Sequence, residues 1–200
     1  GIITMKQCRH CKKRFNPTMS SLQVCCSYEC AAEWVATIKG KKYAEKVKRK
    51  DMRARKLAIK TKSDWVKEAQ QAFNAFIRER DYSMPCISCG KPATNEANQW
   101  DCGHYRSVGA SPELRFAEAN AHKQCKKCNR DLSGNIVEYR MRLIDRIGNR
   151  RLNWLEGPHQ MPKLIIRDLI EIKARYRKMK KDLENERNVF QCACQITRKN

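Results

Sequence analysis

The chain has 200 residues, of which 43 are Lys or Arg and 21 are Asp or Glu, so its formal net charge is +22 at pH 7. Only 41% of the residues are hydrophobic and the mean hydropathy is −0.78, and no apolar run reaches the roughly 18 residues that a membrane span requires. These figures exclude a membrane protein, and we expect a soluble one. A compact chain with so large a positive charge would repel itself unless it bound a polyanion. The charge therefore indicates a nucleic-acid partner.

Cysteine is the most informative residue type in this sequence, with twelve copies. The first fifteen residues contain no apolar stretch followed by a small-residue cleavage site, so we expect the chain to stay inside the cell. A reducing compartment keeps thiols free, and thiolates are preferred ligands of zinc. The cysteines therefore indicate metal sites rather than disulfides.

The first predicted unit is a zinc knuckle over residues 1–38, which ends in a short helix over 31–38. A Cys-x-x-Cys pair and a Cys-x3-Cys pair give it four ligands, namely Cys8, Cys11, Cys26 and Cys30. Cys25 competes with Cys26 for the third position, and the spacing alone leaves that choice open.

A very basic segment over residues 39–62 follows, with twelve Lys or Arg residues against two acidic ones. Its apolar residues form only a weak stripe, so we expect an arm or linker whose helix frays. Like charges at this density favour contact with DNA phosphates over a merely solvated surface. The DNA-binding residues predicted here, together with one from the next unit, are Lys41, Lys42, Lys46, Lys48, Arg49, Lys50, Arg53, Arg55, Lys56, Lys60 and Arg106.

The third unit, residues 63–148, combines a helix with a cysteine-rich region. Ser63 is the predicted N-cap of an amphipathic helix, a hairpin is expected near residues 100–106, and a second helix over 136–147 should stop at Gly148. The remaining residues, 149–200, are expected to contain a last helix from Pro162 to Leu183.

Two Cys-x-x-Cys pairs in the third unit predict a second zinc site, formed by Cys86, Cys89, Cys125 and Cys128. Such pairs each place two sulfurs beside one tight turn, and four thiolates close a tetrahedron around zinc. The spacing between the pairs exceeds that of a simple zinc ribbon, so the pairs should hold an insert with its own role. The four other cysteines are interpreted as free thiols, with a third metal contribution from the last two as the less favoured alternative: Cys25, Cys102, Cys192 and Cys194.

The insert carries the side chains that metal-assisted phosphodiester hydrolysis needs. His104 offers a base that titrates near neutral pH, while Asp101 and Asn129 offer oxygen ligands for a hard cation. A structural imidazole and a helix N-cap are the simpler alternatives for His104 and Asn129. Four thiolates leave zinc no open position, so the zinc would only support this site.

Several segments resemble the NinG (Rap) recombination proteins of lambdoid phages, and the central block is similar to the wider HNH endonucleases, including phage endonuclease VII. The similarity is densest in the middle of the chain and extends more loosely to the knuckle and the arm. The segments that carry it are NAFIRERD at 74–81, PCISCG at 85–90, WDCGHYR at 100–106, LRF at 114–116, NAHKQC at 120–125, CN at 128–129, SGN at 133–135 and RIG at 146–148.

The resemblance implies an α-rich α+β fold, in which a small zinc-stapled ββα-metal (HNH, treble-clef) core has flanking helices and an N-terminal zinc knuckle. It implies His104 as general base, Asp101 and Asn129 as ligands of a catalytic Mg²⁺ or Mn²⁺, and two structural Zn²⁺ ions. Asn120 would steady the hairpin, and His122 is a further candidate for a metal ligand or a phosphate contact. Many HNH enzymes place the Asp directly before the basic His, so direct ligation by Asp101 stays open.

The function implied is a structure-specific endonuclease that cuts Holliday junctions and D-loops during phage recombination, in the cytoplasm of the bacterial host. Its expected partners are branched DNA, a second copy of the chain, and phage or host recombination proteins. The second copy is expected because symmetric resolution of a junction needs two active sites. Two alternatives stay open: a zinc-finger accessory or regulatory protein that binds DNA without cutting it, and an RNA-binding protein.

Overall fold

The protein was analysed as a computed structural model that describes residues 5–94 and 98–197, and every side chain among them except those of residues 38 and 190–197. The chain divides into two compact units, Gly1–Lys60 and Thr61–Asn200. Within the described residues, helices dominate and the strands form two small two-stranded sheets, which confirms an α-rich α+β chain. No helix in this part of the chain is both long and apolar enough to cross a membrane. Cys192 and Cys194 lie outside the described side chains.

The first unit begins with a small antiparallel sheet of β1 (Lys6–Gln7) and β2 (Arg14–Phe15). Helix α1 then runs over Tyr28–Ala36, where the hydroxyl of Ser27 caps its N-terminus. This helix begins three residues earlier than the sequence predicts and ends two residues earlier, because the side chain of Thr37 already caps the next helix.

Helix α2 occupies Ile38–Ala58, most of the segment for which the sequence predicts a basic arm or linker. Its first turns are anchored, since the ring of Tyr43 lies edge-on to the buried Trp34 at 5.2 Å between centroids. The guanidinium of Arg9 lies over both rings. An anchored first turn removes the cost of nucleation, and Lys and Arg then propagate a helix well.

The second unit opens with helix α3, Lys62–Arg80. Its N-cap is Thr61 rather than the predicted Ser63, because Thr61 and Asp64 form a reciprocal capping box. The buried side of α3 includes Phe73, Phe76 and Ile77. These residues form a core with Tyr176 of the last helix.

The central element is an antiparallel hairpin of β3 (Trp100–His104) and β4 (Ala121–Cys125), in which Trp100 pairs with Cys125 and His104 with Ala121. Two short 3-10 turns, Pro112–Leu114 and Glu118–Asn120, lie in the connection. Cys102 and Ala121 pack against the core of α3. The backbone of the next position, Gly103, instead contacts helix α4 through Tyr139.

Helices α4 (Ile136–Glu156) and α5 (Ile166–Thr197) complete the unit. Gly148 interrupts the helix where the sequence predicts its end, because its backbone is non-helical with a positive φ of 77°. The chain then turns helical again and reaches Glu156, so the predicted end is a kink between two helical segments. The last helix begins at Ile166 and not at Pro162, because Asp168 caps it by accepting from the backbone N–H of Ile165.

Gly103 is the tightest point of the hairpin. A Cβ atom there would collide with the side chain of Gln124, which is fully buried and held by hydrogen bonds from its Nε2 to Ser88 and to the carbonyl of Gly134. Gln124 therefore cannot move aside cheaply. A Cβ at Gly109, in the strand connection, would meet nothing within 4 Å.

We expect Gly103→Ala to lower the free energy of unfolding by about 2 kcal/mol or more, because overpacking a buried site forces its neighbours to shift. Gly109→Ala is the matched control and should leave the free energy of unfolding within about 0.5 kcal/mol of the parent value. Urea unfolding of the three zinc-loaded proteins measures both effects. Equal midpoints for all three would contradict the tight contact.

Candidate metal centres and active-site pocket

Two groups of four cysteines converge in the described part of the chain, and they are the two sets predicted from spacing. Within each group all four sulfurs lie within 4.8 Å of one another. The groups are Cys8, Cys11, Cys26 and Cys30 in the first unit, and Cys86, Cys89, Cys125 and Cys128 in the second.

The sulfur separations fit tetrahedral zinc. Zn–S bonds of about 2.3 Å place the ligands of a tetrahedron about 3.8 Å apart. Sulfur–sulfur distances are 3.5 Å for Cys11–Cys26, 3.6 Å for Cys26–Cys30 and 3.8 Å for Cys89–Cys125. Both groups can therefore hold a zinc ion with all four positions filled by thiolate, which suits a structural role.

The two Cys-x-x-Cys turns share one backbone design. In the first, the N–H of Cys8 donates to the carbonyl of Lys13 at 2.8 Å, and the N–H of Lys12 donates back to Cys8 at 3.0 Å. In the second, the N–H of Cys86 donates to the carbonyl of Lys91 at 2.9 Å, and the N–H of Gly90 donates back to the carbonyl of Cys86 at 3.0 Å. Gly90 has φ of 72° and Lys12 has φ of 64°, so a lysine occupies the left-handed position that favours glycine.

The structure also decides which neighbouring cysteine completes the first group. Cys26 belongs to the cluster, whereas the buried Cys25 lies outside it. Cys102, the other predicted free thiol whose side chain is described, also belongs to neither group.

His104 lies at the end of β3 with one ring nitrogen fixed. Its Nε2 is 3.1 Å from the carbonyl oxygen of Arg115, an atom that can only accept, so Nε2 carries the proton. In the neutral ring Nδ1 is then the unprotonated nitrogen, and the backbone of Cys102 also contacts the ring. Burial against Phe73, whose ring centroid is 5.9 Å away, lowers the pKa of His104 below 6.5.

A cleft with a volume of about 560 Å³ runs beside this strand end. His104, Arg106 and Asn129 line it, together with backbone of the strand connection and of the segment before α4. The structure thus brings the predicted base and one predicted metal ligand to a single open cleft, and a predicted DNA-binding arginine lies with them.

Asn129 lies within a single helical turn, Lys127–Asp131, directly after Cys128 of the second cysteine group. Its amide Nδ2 donates to Oδ2 of Asp101 at 3.0 Å, so the two predicted ligands of the catalytic cation are neighbours. One carboxylate and one amide match the oxygen preference of Mg²⁺ and Mn²⁺ in chemical type. Arg130 also holds this carboxylate, through Nε at 2.7 Å and Nη2 at 2.9 Å, which keeps the pKa of Asp101 below its usual value despite partial burial.

Asn120 is fully buried and ties the two ends of the strand connection together. Its Oδ1 accepts from the N–H of Arg106 at 2.8 Å, and its Nδ2 donates to the carbonyl oxygens of Arg106 at 2.9 Å and Leu114 at 3.2 Å. It therefore fixes the loop that carries one wall of the cleft.

His122 is buried beneath the hairpin and does not line the cleft. The Tyr139 hydroxyl donates to the carbonyl of Gly103 at 3.1 Å, so it accepts from Nδ1 of His122, also at 3.1 Å. Burial lowers the pKa of His122 to about 3, so the ring is neutral. Its surroundings suit a structural link between β4 and α4 rather than a contact with a DNA phosphate.

The predicted DNA-binding residues of the basic segment lie on α2, except for Lys60, which follows the helix. Those on α2 are all exposed, whereas Lys60 lies just beyond the helix and is half-buried. The helix thus presents its cations around most of its circumference, while Tyr43 packs on Trp34.

Sequence reasoning missed three side chains that organise the site: Tyr139, Arg130 and Asp81. Asp81 is buried, accepts from Arg80 at 2.9 Å and from the backbone N–H of Lys123 at 2.9 Å, and so ties the end of α3 to β4. The sequence signals for it were a charged pair at the end of an amphipathic helix and its place in the segment at 74–81 that carries the resemblance. Nothing in the spacing pointed to Tyr139 beyond a place on an apolar stripe.

Comparison with known proteins gives a consistent result. The family model described as "Bacteriophage Lambda NinG protein" matches residues 3–186. The curated "Protein ninG" of Escherichia phage 933W is 44% identical over 197 aligned residues, covering 92% of this chain and 96% of that protein. "Protein ninG" of Escherichia phage lambda is 43% identical, with coverage of 92% and 95%, and that of Salmonella phage P22 is 42% identical, with 92% and 96%. No solved structure gives a significant match.

We expect native mass spectrometry to find two zinc ions per chain, and Cys26→Ser to leave only one, because the substitution removes one of four thiolates. Cys25→Ser is the matched control, since its sulfur lies outside the cluster, and should retain both ions. The opposite pattern would assign the third ligand to Cys25.

His122 also makes stability depend on pH. Its folded pKa of about 3 lies below the ordinary 6.5, so its contribution is complete above pH 6.5 and is lost as pH falls from 6.5 towards 3. From this residue alone, the free energy of unfolding should fall by about 2 kcal/mol between pH 7 and pH 5. In His122→Asn, whose side chain cannot gain a proton, the free energy of unfolding should fall by about 2 kcal/mol less than in the parent over the same pH range. Urea unfolding of both proteins at pH 7 and pH 5 measures this difference. Equal losses would contradict the buried neutral ring.

Proposed function

We propose, from the premise that this chain belongs to the bacteriophage lambda NinG protein family, that it is a metal-dependent endonuclease that nicks branched DNA during phage recombination. The proposed core is of the HNH type, in which a zinc-stapled hairpin and the following helical turn hold the reacting groups. Its substrates would be Holliday junctions and D-loops, and its setting the cytoplasm of the bacterial host.

The observation that carries this proposal is the state of His104. A general base needs an unprotonated nitrogen at neutral pH, held in one orientation beside the place where substrate binds. The carbonyl of Arg115 fixes Nε2–H and burial disfavours the charged ring, so Nδ1 would be the nitrogen that accepts a proton from water. A binding protein has no need of such an arrangement in an open cleft.

The cleft would receive the scissile phosphate. Asp101 and Asn129 would hold Mg²⁺ or Mn²⁺, which when bound stabilises negative charge on the phosphate and on the leaving oxygen. Arg106, on the same cleft, would contact the phosphate or a neighbouring one. Asn120 would keep the loop and His104 in register through its three backbone hydrogen bonds.

Affinity for DNA would come mainly from the exposed cations of α2. Each phosphate contact releases counterions, so binding would weaken steeply with salt and depend little on sequence. Selection of branched DNA would then follow from how two duplex arms fit the protein, and symmetric cutting of a junction would need two copies of the chain. Phage or host recombination proteins are further partners in this proposal.

A second candidate is a zinc-containing recombination accessory protein that binds DNA without cutting it. One observation favours it: Arg130 holds both oxygens of Asp101, so the carboxylate is already engaged within the protein. The two candidates differ in one measurable product, a nicked strand.

We expect the zinc-loaded protein to nick a synthetic four-way junction near its branch point in the presence of Mg²⁺. His104→Ala should slow nicking at least about 100-fold, because it removes the general base, while gel-shift affinity for the junction stays unchanged. His159→Ala is the control and should nick at the parental rate. Because the pKa of His104 is lowered, the parental rate should fall only below pH 6.5. Absence of nicking by the parent, with tight junction binding, would favour the accessory protein.

A further inference from the structure

Arg130 is placed to compete with the catalytic cation. It directly follows Asn129 in the chain, and its guanidinium forms a two-pronged contact with Asp101, Nε to Oδ2 at 2.7 Å and Nη2 to Oδ1 at 2.9 Å. The Asp101 side chain is 18% exposed and that of Arg130 is 60% exposed. One partner is thus fixed in the protein, whereas the other lies in solvent and is free to leave.

The carboxylate already accepts three hydrogen bonds in this arrangement. Oδ2 accepts from both Arg130 and Asn129, and Oδ1 accepts from Arg130. Because Asn129 donates its amide N–H to Asp101, its amide oxygen is not the atom that faces the carboxylate. A divalent cation needs the oxygens of both side chains. The Asp101 oxygens now accept from N–H donors, and Asn129 presents its N–H to the carboxylate instead of its oxygen.

We infer that Arg130 guards the metal site: it occupies Asp101 in the DNA-free protein and leaves it for a backbone phosphate when DNA enters the cleft. This inference rests on the proposed function. A guanidinium binds phosphate with the same two-pronged geometry that it uses for a carboxylate, so the exchange preserves both of its hydrogen bonds. The exchange is also cheap, since an exposed ion pair contributes little to stability.

The guard has a functional consequence. With Arg130 on Asp101, metal binding is weak and the free protein would not cut unbranched host DNA that it meets only briefly. Productive docking draws Arg130 away, and the carboxylate becomes available at the moment when a phosphate is in place. Metal loading and substrate binding are then coupled through one side chain.

The test measures Mn²⁺ affinity of the zinc-loaded full-length protein without DNA, from the loss of the free-ion electron paramagnetic resonance signal. Arg130→Ala should bind Mn²⁺ roughly tenfold more tightly than the parent, because it removes a competing cation. Asp101→Asn should abolish this binding in either background. Arg140→Ala is a matched control, because Arg140 forms a similar contact with Glu156, at 2.7 and 3.0 Å, away from Asp101, and it should leave the affinity unchanged.

Equal affinities for the parent and Arg130→Ala would overturn the guard, as would the same gain in Arg140→Ala, which would mark a general effect of surface charge. Failure of the proposed function has a different readout, because it would appear as an absence of nicking in the junction assay. If the parent nicks the junction and Arg130→Ala shows no gain in Mn²⁺ affinity, the proposed activity stands and only the role of Arg130 is refuted.

Discussion

The geometry of the candidate site depends first on the convergence of four sulfurs that could hold one tetrahedral zinc ion, those of Cys86, Cys89, Cys125 and Cys128. A hairpin of two five-residue strands is marginal by itself in water. One cysteine pair lies in a turn before β3, and the other spans the end of β4 and the turn that carries Asn129. An ion held by all four therefore fixes the two sides of the site to each other. Without it, the position of Asn129 relative to the strand would be set only by hydrogen bonds such as that from Asn129 to Asp101.

Packing on both faces of the hairpin supplements this constraint. On one face, Cys102 and Ala121 complete a core with Phe73 and Tyr176. On the other, Tyr139 connects the backbone of Gly103 to the ring of His122 with a single hydroxyl. Such a link leaves the strand little freedom to slide, because a buried polar group that loses its partner costs free energy. The catalytic geometry proposed here depends on that rigidity.

Much of the site was predictable because metal ligands obey spacing rules that short sequence segments express. The two cysteine groups follow from Cys-x-x-Cys pairs, and the structure confirms that they converge. The capping residue of α3 was mispredicted because Thr61 and Ser63 are equivalent as residue types, and only the reciprocal contact with Asp64 distinguishes them. The full extent of α2 was not predictable from its weak apolar stripe, because part of its support comes from Trp34, in another helix. Contacts between residues far apart in sequence, such as Asp101 with Arg130, leave no local signal.

The left-handed lysine in the first cysteine turn makes the two metal centres unequal. A residue with a side chain adopts this conformation at a cost of about 1 kcal/mol, whereas Gly90 adopts it freely in the second turn. The first turn therefore relies more heavily on its ion to stay closed. As zinc becomes scarce, the N-terminal centre would empty first, so this chain would lose its knuckle while the cleft around His104 is still assembled.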